Sequence, residues 1–278
     1  VEAQTQPASQ VVLVIDHNDV LLERARGRWP NHTVVANEHG NGLSGARNTG
    51  VARASAEVVA FLDDDAAAQP TWLERLVRHF DQPGVGGVGG LVRPAWVTEP
   101  PAWFPPEFLW VVGCSYTGLP KTVAQVRNPI GASMAFGRQL IVEAGGFDEG
   151  VGRVGTLPAG CEETELSIRL SRMGYRVVYE PDAVVDHVVP ADRVRLSYFT
   201  RRCLAEGRSK AAVSRMAGTS RALESERAYV RKTLPAGVAE ALRQGARGPS
   251  RRASVARAGA IGLGLGLTAW GYLSARVR

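Results

Sequence analysis

The sequence predicts an α/β fold with a mostly parallel central sheet. Short apolar runs of strand length alternate with helix-spaced segments through the first ninety residues, the pattern of strands joined by crossover helices. Two of those runs end in acids, as buried parallel strands do at the edge where such sheets open their ligand crevice. The more telling is Val58-Val59-Ala60-Phe61-Leu62-Asp63-Asp64-Asp65. Three adjacent carboxylates cannot be buried unpaired inside a strand, so they must lie at its C-terminal end. They also repel one another unless a cation compensates. A divalent metal holding a diphosphate is the economical explanation, because Mg2+ takes one or two carboxylates together with substrate phosphate oxygens. A solvated acidic turn is the plainer alternative.

The elements follow in order. Val11-Val12-Leu13-Val14-Ile15-Asp16 is the first buried strand, closed by the polar turn His17-Asn18-Asp19. Residues 20 to 28 have helical spacing, Thr33-Val34-Val35 is a short strand, 37 to 42 is a Gly/Asn loop, and a small-residue helix runs from Ser44 to Arg53. After the acids, an amphipathic helix starts at Pro70-Thr71 and reaches Phe80, and residues 86 to 92 form another strand. Five prolines and two tryptophans between Pro94 and Pro106 mark a loop. A strand ends at Phe136, residues 138 to 144 form a helix closed by Gly145-Gly146-Phe147-Asp148, and Glu162 to Met173 form a helix capped by Gly174. Tyr175 to Tyr179 and Ala183 to Val185 read as two strands, and the chain is helical and basic from Arg195 to the apolar tail.

The 278 residues suffice for one large domain with an appendage, and 45% hydrophobic content is ordinary for a globular protein. Three scattered cysteines offer neither metal-ligand spacing nor a disulfide framework, which fits a reducing compartment. The opening lacks an initiator Met and a signal-peptide pattern, and it leads almost at once into a strand, so a fragment with an upstream start is expected. Net charge is +6, and residues 241 to 257 carry Arg243, Arg247, Arg251, Arg252 and Arg257 with no acid. Eighteen uncharged residues follow, 258 to 275, with glycine at 262, 264 and 266 and with Trp270 and Tyr272 near the end. A basic flank beside an apolar segment predicts association with a membrane surface, or a short transmembrane span. Basic residues interleaved with aromatics, the mark of RNA binding, are missing, so nucleic acid is not an expected partner. The division expected is a domain over 1–192, a basic helical region over 193–257 and the apolar segment over 258–275.

Several local motifs occur together in order: the strand ending in Asp16, Asn41-Gly42-Leu43-Ser44-Gly45-Ala46-Arg47-Asn48-Thr49-Gly50, Phe61-Leu62-Asp63-Asp64-Asp65, Gly145-Gly146-Phe147-Asp148 and Cys161-Glu162-Glu163-Thr164-Glu165-Leu166. Over roughly residues 8 to 190 the chain resembles the family 2 inverting glycosyltransferases. The resemblance implies the Rossmann-like nucleotide-sugar-binding fold called GT-A, here without the family's usual first strand. It implies a hexosyltransferase that uses a nucleoside diphosphate sugar as donor and Mg2+ or Mn2+ as cofactor. Asp16 looks like the acid near the nucleobase, with His17 where the family often has a second acid. Arg47 resembles the residue that approaches the nucleotide. Asp63 and Asp65 look like the ends of the Asp-x-Asp motif, with Asp64 between them on the nucleotide side. Glu163, paired with Glu162, falls where the family places its catalytic base, and His187 follows the Tyr179-Glu180-Pro181 turn, where some members put a histidine beside the metal. Trp103-Phe104-Pro105, Phe108 to Cys114 and Gly160-Cys161-Glu162-Glu163 are similar to a subgroup acting on polyprenyl-phosphate-linked or cell-envelope glycans, which implies work at the cytoplasmic face of the cell membrane.

Inverting transfer needs compensation of the leaving diphosphate, a base for the acceptor hydroxyl, and alignment of the two. At a helix N-terminus the dipole favours an ionised Glu163, while repulsion from Glu162 raises its proton affinity. Taken singly, each residue has a plainer reading: first-turn acids for the glutamates, a surface cation for Arg47, a structural histidine for His187, a loop cap for Asp16. Trp103, Trp110 and Tyr116 are candidates for a sugar platform or for core packing. Two other functions fit parts of the pattern: a metal-dependent nucleotidyltransferase and a non-catalytic glycan-binding scaffold.

Overall fold

The computed structural model describes residues 1–150, 160–217, 227–247 and 251–276. The expected basic region over 193–257 therefore lies outside the described residues at 218–226 and 248–250. The chain runs β1 (Val12–Ile15), α1 (Asp19–Arg28), β2 (Thr33–Ala36), α2 (Leu43–Arg53), β3 (Val58–Leu62), β4 (Ala66–Ala68), α3 (Trp72–Val77) and β5 (Val85–Trp96). A 3-10 helix (Pro106–Val112), β6 (Ala124–Val126), β7 (Ser133–Gly137), α4 (Arg138–Glu143), α5 (Glu162–Arg172) and β8 (Arg176–Val189) follow. Among the described residues three long helices follow: α6 (Leu196–Ala217), α7 (Leu234–Arg247, entered through a wider turn at Tyr229–Thr233) and α8 (Arg251–Arg276).

The α/β class holds, but the sheet is mixed rather than mostly parallel. β1 and β2 pair in parallel as a two-stranded sheet, and the larger sheet runs β3-β7-β5-β8-β4, with β6 also on β8. Within the larger sheet only β5 and β8 are parallel, while β7 enters antiparallel to both β3 and β5, and β4 and β6 antiparallel to β8. The strand–helix alternation behind the parallel expectation covers only the first ninety residues. The loop-rich middle then inserts β7 between β3 and β5. The two strands read after Tyr175 are halves of β8, whose register against β5 shifts between Gly90–Glu180 and Leu91–Val184. This bulge contains Pro181, which has no backbone N–H to offer a ladder.

One apolar core joins sheet and C-terminal helices: Val88, Val92 and Val185 share it with Phe199 and Cys203 of α6, Leu234 of α7 and Ile261 of α8. All three cysteines are free and buried. The apolar stretch 258–275, expected to associate with a membrane or to span it, lies within α8. Among the described residues no helix is long and apolar enough to cross a membrane. Gly271 in this stretch makes a close helix contact, whereas a Cβ at Gly262 or Gly266 would meet nothing within 4 Å. A Cβ at Gly207 of α6 would lie 2.1 Å from the Thr268 carbonyl oxygen of α8, and one at Gly271 of α8 would lie 2.3 Å from the Leu204 carbonyl oxygen of α6. Backbone meets backbone, so neither neighbour can yield by turning a side chain. We expect Gly207→Ala to force the helices apart, at about 1–3 kcal/mol, and to lower the melting temperature by roughly 3–10 °C. An unchanged thermal transition would refute the close approach.

Candidate active site

β3 ends at Leu62, antiparallel to Ser133 of β7, so Asp63 emerges at the sheet's edge beside the loop that precedes β7. The chain then turns and forms β4, which pairs antiparallel with β8 in the register Ala66–His187. The Val188 N–H donates to the Asp65 carbonyl at 2.8 Å. This ladder sets His187 Nε2 3.1 Å from Asp65 Oδ1, with Arg193 Nη2 3.6 Å from the other carboxylate oxygen. One ligand atom each from Asp63, Asp65 and His187 lies within 4.8 Å of the others. Burial alone would raise the Asp65 carboxyl, but His187 and Arg193 outweigh it and hold the group below its ordinary value. Asp63 goes the other way: burial raises it, Asp65 adds to the rise, and Arg47 only partly opposes. Two carboxylates and an imidazole form a donor set suited to a hard or borderline divalent cation.

Arg47 comes from the second turn of α2, and its side chain is only 5% exposed. Its Nη1 donates to Glu162 Oε1 at 2.7 Å, and its Nη2 lies 3.6 Å from Asp63 Oδ1. The guanidinium rests near the rings of Phe147 and Phe61, at 5.5 and 6.0 Å from their centroids. Gly131 completes the slot: its carbonyl accepts from Nη2 at 3.4 Å, and a Cβ there would lie 2.8 Å from the same nitrogen. The acid motif after β3 and the glutamates of α5 therefore flank a single buried cation.

α5 is preceded by Cys161, whose φ of +80° is left-handed although it is not glycine. Glu162 is buried, and its Oε2 has no hydrogen-bond partner among the described residues. Glu163 is half-buried beside it. Burial, and next the charge of Glu162, push the Glu163 carboxyl up to about 8, against the pull of Arg47. Such a group has the proton affinity of a base that works near neutral pH. A cavity of about 1400 Å³ is lined by Arg47, Asp63, Glu162, Glu163, His187 and Arg193, among others.

Not every predicted site residue joins it. Both Asp16 oxygens hold the loop before α2, accepting from Asn37 Nδ2 at 2.7 Å and from the Gly42 N–H at 3.0 Å. Neither Asp16 nor the exposed Asp64 lines the cavity. Trp103 packs against the core, tilted over Phe104 and edge-to-face with Phe199, whereas Trp110 and Tyr116 line the cavity. Arg193 and Gly131 were missed in the sequence. Arg193 offered no signal there beyond being one basic residue among many, and Gly131 only its place in the loop before a strand.

Residues 1–142 match the family model described as glycosyl transferase family 2. Over 253 residues the chain is 32% identical to the glucosyl-dolichyl phosphate glucuronosyltransferase of Haloferax volcanii, an alignment covering 89% of this chain and 80% of that protein. It is also 32% identical over 158 residues to a pre-mycofactocin glycosyltransferase of Mycobacterium tuberculosis, covering 55% of this chain and 32% of the relative. In structure it is similar to the mannosyltransferase PcManGT from Pyrobaculum calidifontis, solved with GDP-Man and Mn2+. That likeness has a TM-score of 0.61 at 22% identity, covers 99% of this chain and 79% of the other, and concerns the fold. The acids that close β3 and the match over the first half of the chain thus lead to one assignment: the chain belongs to glycosyl transferase family 2 and is a glycosyltransferase of the GT-A fold.

Proposed function

We propose that this glycosyltransferase moves a sugar, with inversion, from a nucleoside diphosphate sugar to a hydroxyl of a lipid-linked or cell-envelope glycan, with Glu163 as general base. One observation carries the reading: Arg47 bridges Asp63 and Glu162, so the first acid after β3 and the glutamate pair of α5 line one cavity. Asp63, Asp65 and His187 would hold a divalent cation such as Mg2+ or Mn2+. That cation would supply charge compensation for the departing diphosphate. Ionised Glu163 takes the proton of the acceptor hydroxyl. The acceptor oxygen then bonds to the anomeric carbon as the bond from that carbon to the diphosphate breaks, and its electron pair leaves with the nucleoside diphosphate. Arg47, fixed between two carboxylates, holds Glu162 in place beside the base, while its own positive charge tempers the rise in the base's proton affinity. The lipid-linked acceptor is supported by the relative from Haloferax volcanii, whose name places its own reaction on a dolichyl phosphate glucoside. The cytoplasmic face of the cell membrane, where nucleotide sugars and polyprenyl-phosphate-linked acceptors meet, is the location that goes with this reading. Family membership favours transfer over the nucleotidyltransferase and scaffold alternatives.

The test is sugar transfer from a panel of nucleoside diphosphate sugars to polyprenyl-phosphate-linked acceptors, with and without Mn2+. Asp65→Ala is expected to lower transfer by about 100-fold or more and to abolish metal-dependent nucleotide binding. Full activity in that variant would remove the assignment.

A further inference from the structure

The cavity continues past Glu163 to a wall built by α6 and α8. Arg202, Glu206 and Lys210 follow one another at four-residue spacing along one face of α6. Arg202 Nη1 lies 2.8 Å from Glu206 Oε2, and Lys210 Nζ lies 3.4 Å from Oε1, all three side chains being largely buried. Burial alone would raise the Glu206 carboxyl, but the two cations outweigh it and keep it ionised, so the trio carries a net positive charge. The Arg202 guanidinium also lies 5.9 Å from the centre of the Trp110 ring, an arrangement that holds its plane in place. Cys161, the residue before the glutamate pair, reaches Glu206 with its Sγ 3.7 Å from Oε1. The trio therefore adjoins the base, yet it is separate from the acids that close β3.

Proton abstraction and diphosphate departure leave this second cationic group without a task. Beside it, Leu265, Ala269 and Leu273 of α8 give the same cavity an apolar wall, with Ala269 and Leu273 exposed. A net positive, arginine-bearing cluster next to an apolar helix face matches an amphiphile with an anionic head and a hydrocarbon chain. We propose that this wall is the acceptor's lipid subsite: Arg202 and Lys210 take the phosphate of a polyprenyl phosphate, and α8 takes its first isoprene units, so that the attached glycan reaches Glu163. The identity of the ligand rests on the lipid-linked acceptor proposed above.

Farnesyl phosphate, farnesol and inorganic phosphate serve as probes, with binding to the full chain measured by calorimetry. Uptake of UDP and GDP with Mn2+ is followed in parallel. Wild type should bind farnesyl phosphate about tenfold or more tightly than farnesol, and the double substitution Arg202→Gln, Lys210→Gln should erase that advantage. Leu273→Glu, at an exposed position that does not threaten folding, should weaken both lipids and leave nucleotide binding unchanged. Equal binding of farnesyl phosphate and farnesol by wild type would overturn the proposal, as would displacement of farnesyl phosphate by an equal concentration of inorganic phosphate. If the double variant does not fold, Leu273→Glu decides alone, and unaltered farnesyl phosphate binding sinks the subsite. A wild type that binds farnesyl phosphate but no nucleotide would support the subsite while removing the donor reading.

Discussion

Glu163→Gln is expected to abolish most sugar transfer while making the protein more stable. The activity loss follows from removing the base, whose proton transfer is typically worth about 10²–10⁴-fold. The stability gain follows from linkage. In the unfolded chain a glutamate titrates near 4.5, whereas in the fold Glu163 is pushed up to about 8. The folded state therefore binds this proton more tightly. Below pH 4.5 both states are protonated and no penalty exists. As pH rises from 4.5 to 8 the unfolded chain gives up the proton while the folded one keeps it, so wild-type stability falls. The amide cannot ionise and escapes that loss. With the group half-buried and partly screened, the gain at pH 8 is on the order of 1–3 kcal/mol. That gain corresponds to a melting temperature higher by roughly 3–10 °C. It should vanish near pH 4. In wild type, kcat/KM should rise with pH and reach half its plateau near 8. A variant that melts lower at pH 8 than wild type would show that Glu163 stabilises the fold rather than serving as a strained base.

Arg47→Gln should be the most damaging substitution for stability. Glu162 is buried, and Arg47 donates to it at 2.7 Å. Removing one partner of a buried pair leaves an uncompensated charge and costs about 3–5 kcal/mol. For a chain of this size that is a melting temperature lower by roughly 6–15 °C. Acidification, by neutralising the carboxylate left behind, should recover part of the loss. Arg47→Lys should rescue incompletely, since an ammonium is a point charge without the fork that faces Glu162 and Asp63 together. Combining Arg47→Gln with Glu162→Gln should restore more stability than either change alone would suggest. Additive losses in that cycle, read from thermal or denaturant unfolding, would show that the contact carries no coupling.

Local pattern was the legible part. An apolar run ending in three acids placed Asp63 at a strand's end, and two adjacent glutamates before helical spacing placed the start of α5. Helices such as Asp19–Arg28 and Leu43–Arg53 fell within a residue of their expected bounds. Pairing at a distance left no trace in the sequence. β4 is three alanines, with neither periodicity nor β-branched residues to mark it, yet its ladder with β8 brings Asp65 to His187. Arg47 was singled out by its motif as a residue that approaches the nucleotide, but its contact with Glu162 was not readable, because that carboxylate lies 115 residues further on. Asp16 had the right chemistry for a ligand, and the loop hydrogen bonds that its two oxygens accept were not readable in the sequence. The glycines of the tail matched a lipid-facing helix as well as a helix pressed against a protein neighbour, and the structure divides them: Gly271 meets α6, while Gly262 and Gly266 face open space.

The β4–β8 ladder also bears on how this protein comes into being. Asp63 and Asp65 lie in the first half of the chain, whereas Glu163 and His187 lie in the second. A nascent chain that has emerged only to its midpoint owns the acids without their imidazole or their base. On the function proposed above, tight cation uptake is expected only after β8 has paired with β4.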